Sequence, residues 1–454
     1  MWRERAADVL DAVARIGRDV AHEVVVNVAA ALALGALAFV VLDGRIEGLY
    51  FKVRGPAPVS DQVAIIALDE ETFYLWDPAD PEPARTPRAL LAEVVRFLTS
   101  AGAKVVVLDV LTDLPAAGDD VLVAATSAHG RVVAAERFTP GRGDDATPFA
   151  AASVLNGVAT TAYANLGQEE QTLFSGEMSV SAVPLVASVS RARLAGPFPL
   201  GLVGGFQDDD APTPSMALAA AWLQVAGGAP AELTAALGSR CGGTPVVCTA
   251  STADLGLPGS PLPLHADLSI NFRGAEGADH IPAISGARLL RSLGESALGK
   301  TLGLDLPIAV PDDLKKSLGG KVVLVGRVDG AGGDHFVTPY SFPAMQQADM
   351  SGVRVQAQII DTLLSGRHLR RIDGVTAWVA AVAALVAVLV SGRRNRALHL
   401  VFWTALCGVL LAGSTVLFGL TDGLVLDLAP TLGAILCGLL GVHLYARARA
   451  GDDA

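Results

Sequence analysis

Four charged side chains stand where short apolar runs end. Asp69 and Glu70 follow VAIIAL (63–68), Asp109 closes KVVVLD (104–109), and Arg327 follows KVVLVG (321–326). Asp334, Thr338 and Pro339 come next, in the Gly-rich stretch DGAGGDHFVTP (329–339). Continuous apolar runs of this length read as strands covered on both faces. In open parallel sheets, ligands sit outside the carboxyl ends of the strands. A Gly-rich loop there can present backbone N–H groups to an anion or a small ligand. The chemistry this implies is binding of a small molecule by Asp69, Glu70, Arg88, Asp109, Arg327, Asp334 and Thr338. A competing reading has the acids cap helices and turns or pair with Arg88 or Arg327. Taken singly, each residue fits that structural role at least as well.

Catalysis finds little support. The acids of Asp69-Glu70-Glu71 are adjacent rather than opposed across a cleft, and G-x-S-x-G is absent. GLVGG (201–205) and 326–333 lack the Lys-Ser/Thr ending of a phosphate-binding loop. His265, His280 and His335 have no short ligand spacing, so neither a metal nor a cofactor is expected. The chain is expected not to be an enzyme. Cys241 and Cys248 lie in CGGTPVVC, which can fold back as a tight loop. A disulfide or two free thiols are both open, the disulfide favoured outside the cytoplasm.

The elements that would position these residues alternate in type. PRALLAEVVRFLTSA (87–101) places Leu90, Leu91, Val94, Val95 and Leu98 at helical spacing. Thr86 is expected as N-cap, Pro87 at the first helical position and Gly102 as the stop. Helices are also expected over 121–127, 215–225 and 353–364, and further strands over 132–135 and 268–272. Such strand–helix–strand units favour a mostly parallel sheet with helices on both faces, an α/β fold.

Around this body the chain is greasy. The 454 residues carry a net charge of −12, 51% are apolar and 18% charged, a balance suited to lipid contact and unsuited to nucleic-acid binding. Four stretches approach the ~20 residues that cross a bilayer as helix: Val24–Leu42, Val375–Val390, Leu398–Leu420 and Leu424–Ala446. Arginines 3, 5, 15 and 18 precede the first, 393, 394 and 396 lie between the second and third, and 447 and 449 follow the fourth. All three clusters face the cytoplasm if the chain crosses four times, which leaves 43–373 outside. The long first run with no A-x-A after it reads as an uncleaved anchor. Asp427 is read as interfacial, near the outer turn. The expected organisation is a cytoplasmic 1–23, a span at 24–42, an extracytoplasmic domain at 43–373, spans at 375–390, 398–420 and 424–446, and a cytoplasmic tail at 447–454.

The ordered blocks IALDEE, RTPRALLAEVVRFLTSAGAKVVVLDV, PSMALAAAWL, LSINFRG, GGKVVLVGRVDGAGGDHFVTP and SGVRVQAQIIDTLLSG resemble the type-2 CHASE domain (cyclases/histidine kinases associated sensory extracellular), over 49–371. The three closing helices resemble that family's arrangement too. The resemblance implies a bacterial sensor in the plasma (inner) membrane, its large domain periplasmic and both termini cytoplasmic. Family members commonly continue into a kinase or cyclase, whereas this sequence ends at ARARAGDDA. The expectation is therefore a signal passed in trans to a kinase, cyclase or regulator, with a homodimer left open. The small residues Gly408, Gly413, Gly433, Gly438 and Gly441 permit close helix approach. A non-sensing envelope scaffold or a transporter accessory protein stands as the alternative.

Overall fold

The computed structural model describes residues 48–136, 138–139, 149–151, 153–164, 169–171, 178–179, 182–192, 210–228, 230–242, 247–301, 308–329, 334–341, 350–371, 374–391, 396–426, 428, 430–436, 438–440 and 442. The chain divides into two compact units, Gly55–Leu369 and a second made of Met1–Arg54 with Arg370–Ala454.

The larger unit is built on a six-stranded sheet: β1 (Val63–Leu68), β2 (Val105–Asp109), β3 (Val132–Glu136), β4 (Thr160–Tyr163), β5 (Ala283–Ser285) and β6 (Val322–Arg327). The strands lie in the order β5-β1-β6-β2-β3-β4, and every neighbouring pair is parallel. β6, late in the chain, is thus inserted between β1 and β2. Its register sets Leu68 beside Arg327 and Asp109 beside Gly326, which brings three strand ends to one rim.

Helices cover both faces, which is why the strands are apolar at nearly every position. On one side lie α1 (Glu70–Trp76), α2 (Arg88–Ala101), α3 (Asp119–His129), α6 (Gly286–Thr301) and α7 (Asp312–Leu318). Their Phe73, Leu91, Val95, Leu98, Leu122 and Leu314 close over Ile66, Leu68, Val106, Leu108, Val323 and Val325. The opposite face takes α4 (Met216–Ala226) and α8 (Gly352–Ser365); between them in sequence, α5 (Pro230–Gly238) packs near α4. The buried Val63, Ile65, Val105, Val107, Val322 and Leu324 are the alternate residues of the same strands. The middle of the chain adds a four-stranded sheet ordered Asp210–Pro214, Val186–Ala192, Phe149–Ala151, Phe138–Thr139.

Three expectations need correction. Thr86 does not cap α2: the cap position is Pro87, with no side-chain cap bond, and the buried Thr86 hydroxyl has no hydrogen-bond partner among the described residues. Proline already fixes the entry φ there. The strand expected over 268–272 is Asp267–Ser269 and stops because Asn271 and Arg273 turn to bond α8 and its following turn. The stretch Leu424–Ala446 does not begin as helix: Leu424–Val425 is a strand, and helix starts at Pro430, where a missing N–H costs nothing.

In the smaller unit, α9 (Gly374–Ser391) and α10 (Arg396–Thr421) span the second and third apolar stretches. Leu398–Thr421 is long and apolar enough to cross a membrane. A Cβ at Gly438 would meet Val388 Cγ1 at 2.8 Å, so glycine there lets two helices approach; at Gly408 and Gly413 the space is open. The first apolar stretch, Asp427 and Gly441 lie outside the described residues.

Candidate functional site

The rim formed by the ends of β1, β6 and β2 carries the residues singled out from sequence, but the sheet divides them. Asp109 is register partner of Gly326, and a Cβ at Gly326 would lie 3.3 Å from Asp109 Cβ and 2.7 Å from Val353 of α8. Asp109 therefore leaves the sheet on the α8 face. Arg327, one residue on, leaves it on the other, its guanidinium 4.8 Å from the centre of the Phe73 ring of α1.

On the α1 face Asp69, Arg327 and Arg88 are each engaged inside the protein. Asp69 caps α1, accepting from Thr72 N at 2.9 Å and Thr72 Oγ1 at 2.5 Å, and Glu70 is exposed in its first turn. Arg327 makes a two-point ion pair with Asp329, Nε to Oδ1 at 2.9 Å, and donates to Pro83 O at 2.7 Å. That pair raises its already high pKa. Arg88 is buried and donates to Asp119 Oδ1 at 3.1 Å and to the carbonyls of Leu111 and Leu114 at 3.1 and 3.3 Å. It pins the 111–119 loop, so its guanidinium serves structure.

On the α8 face stand two carboxyls. Burial, and then the neighbouring Asp334 carboxylate, push Asp109 from 3.8 up to about 8. At neutral pH Asp109 is a carboxylic acid, able to donate as well as accept. The Asp334 carbonyl accepts from Gly352 N at 2.8 Å at the start of α8. Strand His335–Phe336 pairs with Met350–Ser351, and Ser351 N and Oγ donate to Glu276 at 2.9 and 3.0 Å. Thr338 is buried and accepts from Tyr340 N at 3.2 Å. Asp109 and Asp334 thus meet at the first turn of α8, where partial positive charge tempers their repulsion. The pair suits ligands that donate hydrogen bonds or carry positive charge. Among the described residues no group of three His, Cys, Asp or Glu side chains gathers as a metal would need.

Sequence reasoning missed a second polar cluster, deeper on α8. Arg273, with no exposed surface, pairs with Asp361 (Nε to Oδ2, 3.1 Å), and its backbone N donates to Gln358 Oε1 at 2.7 Å. Gln358 and Arg354 both donate to Asp279, at 2.8 and 2.6 Å. Arg354, Gln358 and Asp361 recur at helical spacing, one polar stripe on a helix whose residues from Gly352 to Leu364 are all buried. That spacing inside an apolar helix was the available signal.

The CHASE2 domain family matches residues 24–393, most of the chain. The chain belongs to the CHASE2 family. CHASE2 domains are sensory extracellular modules, so the match assigns the larger unit to the sensor class and makes an extracytoplasmic domain on a membrane protein the coarse description. No curated protein and no solved structure matches the chain. In the CHASE2 domain, Cys241 and Cys248 face each other across an antiparallel pair of two residues per strand and are joined as a disulfide, their Cα atoms 4.1 Å apart.

Proposed function

We propose that this CHASE2 protein is a four-span membrane sensor. Its domain, outside the cytoplasm, binds a small ligand at the Asp109–Asp334 pair and passes the change to a signalling partner such as a kinase or cyclase. The observation that carries the reading is the placement of that pair at the first turn of α8, the last helix of the domain. From the end of α8 at Ser365 only eight residues lead to α9, so the helix that carries the pair at its start is also the one that leads into the membrane segment.

The reading is of binding, not catalysis. Asp109 as a neutral acid and Asp334 as its partner favour an amine, a guanidinium or a donor-rich neutral ligand. To act as a signal, that ligand must bind two states of the domain unequally. The four-span topology is supported by the arginines at 3–18, 393–396 and 447–449, all placed inside by four crossings.

Calorimetric titration of the full chain in nanodiscs with a panel of periplasmic amines and polyols tests the proposal. Heat should appear for one class and be lost in Asp109→Ala and Asp334→Asn, with Glu70→Ala unaffected. Binding that survives both substitutions would remove the site from the account.

A further inference from the structure

At both ends of the sensor domain, consecutive residues take partners in different parts of the chain. Leu369 N donates to Ser269 O of the domain at 3.4 Å, and the next amide, Arg370 N, donates to Gly423 O of the membrane segment at 2.8 Å. At the other end, Gly55 O accepts from Tyr340 Oη of the domain at 3.1 Å, while Arg54 NH1 lies 3.6 Å from Asp422 Oδ1. Gly423 and Asp422 belong to one turn, the one that follows α10. Both connections of the domain are therefore fastened to the same turn.

The fastening is built from several small parts. Arg370–Arg371 runs parallel to Leu424–Val425, Arg370 opposite Leu424 and Arg371 opposite Val425. Tyr50, in the helical 48–54, donates from its hydroxyl to Leu426 O at 3.0 Å. Its ring stacks on Phe418 of α10 with centroids 5.5 Å apart, and Phe51 meets the same ring edge-on at 5.2 Å. The Arg54 guanidinium lies 4.9 Å from the Phe51 ring and 5.2 Å from the Phe418 ring, an arrangement that adds cation–π attraction to its ion pair. The turn itself holds Asp422 at φ 48 and Gly423 at φ 129, left-handed values that asparagine-like and glycine residues tolerate.

A parallel pair of two residues per strand is far below what stands alone in water. It persists here because Arg54, at Asp422, and Tyr50, at Leu426 O, hold the same segment. Contacts that are each marginal and mutually dependent open together. We propose that residues 48–54, 370–371 and 418–426 form a releasable latch, through which both ends of the sensor domain are coupled to α10. This rests on the sensor reading for its purpose, though not for its existence. Release at either end frees the other and changes the restraint on α10, so the output is carried by a helix not joined directly in sequence to the domain.

Hydrogen exchange of the full chain in nanodiscs tests the latch. In the wild-type protein, the amides of Arg370 and of Gly423–Val425 should exchange at one common slow rate. Arg54→Ala should raise both together by tenfold or more, and leave β1 and β6 unchanged. Tyr50→Phe, which removes one hydroxyl and keeps the ring, should raise both together by about threefold. The proposal is overturned if Arg370 and the 423–425 amides exchange independently. It is equally overturned if Arg54→Ala alters only 48–54. A CHASE2 domain that binds no ligand in calorimetry, with the common rate intact, would remove the sensor reading and keep the latch.

Discussion

The carboxylate of Asp334 occupies the place where a side chain at Gly352 would stand: a Cβ built there would lie 2.0 Å from Asp334 Oδ2. The first residue of α8 and the outer acid of the pair thus exclude one another. Gly352→Ala should drive the exposed Asp334 carboxylate aside, at a stability cost of about 1–3 kcal/mol. Asp109 then loses its like-charged neighbour, and its pKa should fall below about 8. Gly326→Ala meets a different neighbour. Its Cβ would stand 2.7 Å from the buried Val353 side chain, and overpacking there should likewise cost ~1–3 kcal/mol. Thermal unfolding measures both losses, and carboxyl titration by infrared difference spectroscopy reads Asp109.

Asp109 also sets a pH dependence of defined sign. Its folded pKa is about 8 against 3.8 unfolded. Between those values the folded state holds a proton that the unfolded chain releases, so stability falls as pH rises from about 4 to about 8. The contribution is fully present below 3.8 and lost above about 8. Asp109→Asn mimics the protonated acid. It should match the wild-type protein at pH 4 and exceed it by at least ~1 kcal/mol at pH 8, as read by denaturant unfolding.

Much of this fold is legible along the chain, and the reasons it fails are local. Leu90, Leu91, Val94, Val95 and Leu98 announce α2, and the runs before Asp69, Asp109 and Arg327 announce parallel strands covered on both faces. Register is what one-dimensional reading lacks. Nothing in VVVLD or VVLVGR tells that Asp109 stands beside Gly326 rather than Arg327, and that offset of one residue sends the two charges to opposite faces. The α8 stripe was lost for another reason: Arg, Gln and Asp at helical spacing look like a solvated face until LSINFRG is known to cover them. The Leu424–Val425 strand was masked by its own apolarity, because a short greasy strand and the start of a greasy helix share a composition.

Arg273 and Asp361 are 0% and 1% exposed. Removing one partner leaves an uncompensated charge in the interior. Arg273→Met and Asp361→Leu should each destabilise by ~3–5 kcal/mol, while the double variant should cost less than the sum of the two. Denaturant unfolding of the four proteins measures the coupling. Additive losses would mean the pair is not a unit.

The hairpin disulfide makes a count available. The chain has four cysteines, and Cys241 with Cys248 takes two of them. Under denaturing conditions without reductant, thiol titration should find two reactive groups, rising to four once reductant has acted and been removed. Four from the start, in protein purified from native membranes, would mean the hairpin is reduced where it functions.

The central claim is the side of the membrane on which the CHASE2 domain lies, and enzyme-reporter fusions test it most directly. Alkaline phosphatase, active only outside the cytoplasm, is joined in one fusion after Gly118 and in another after Ala450. The account predicts high activity for the first and none for the second. An inactive phosphatase at Gly118, with a cytoplasmic reporter active at the same place, would contradict it.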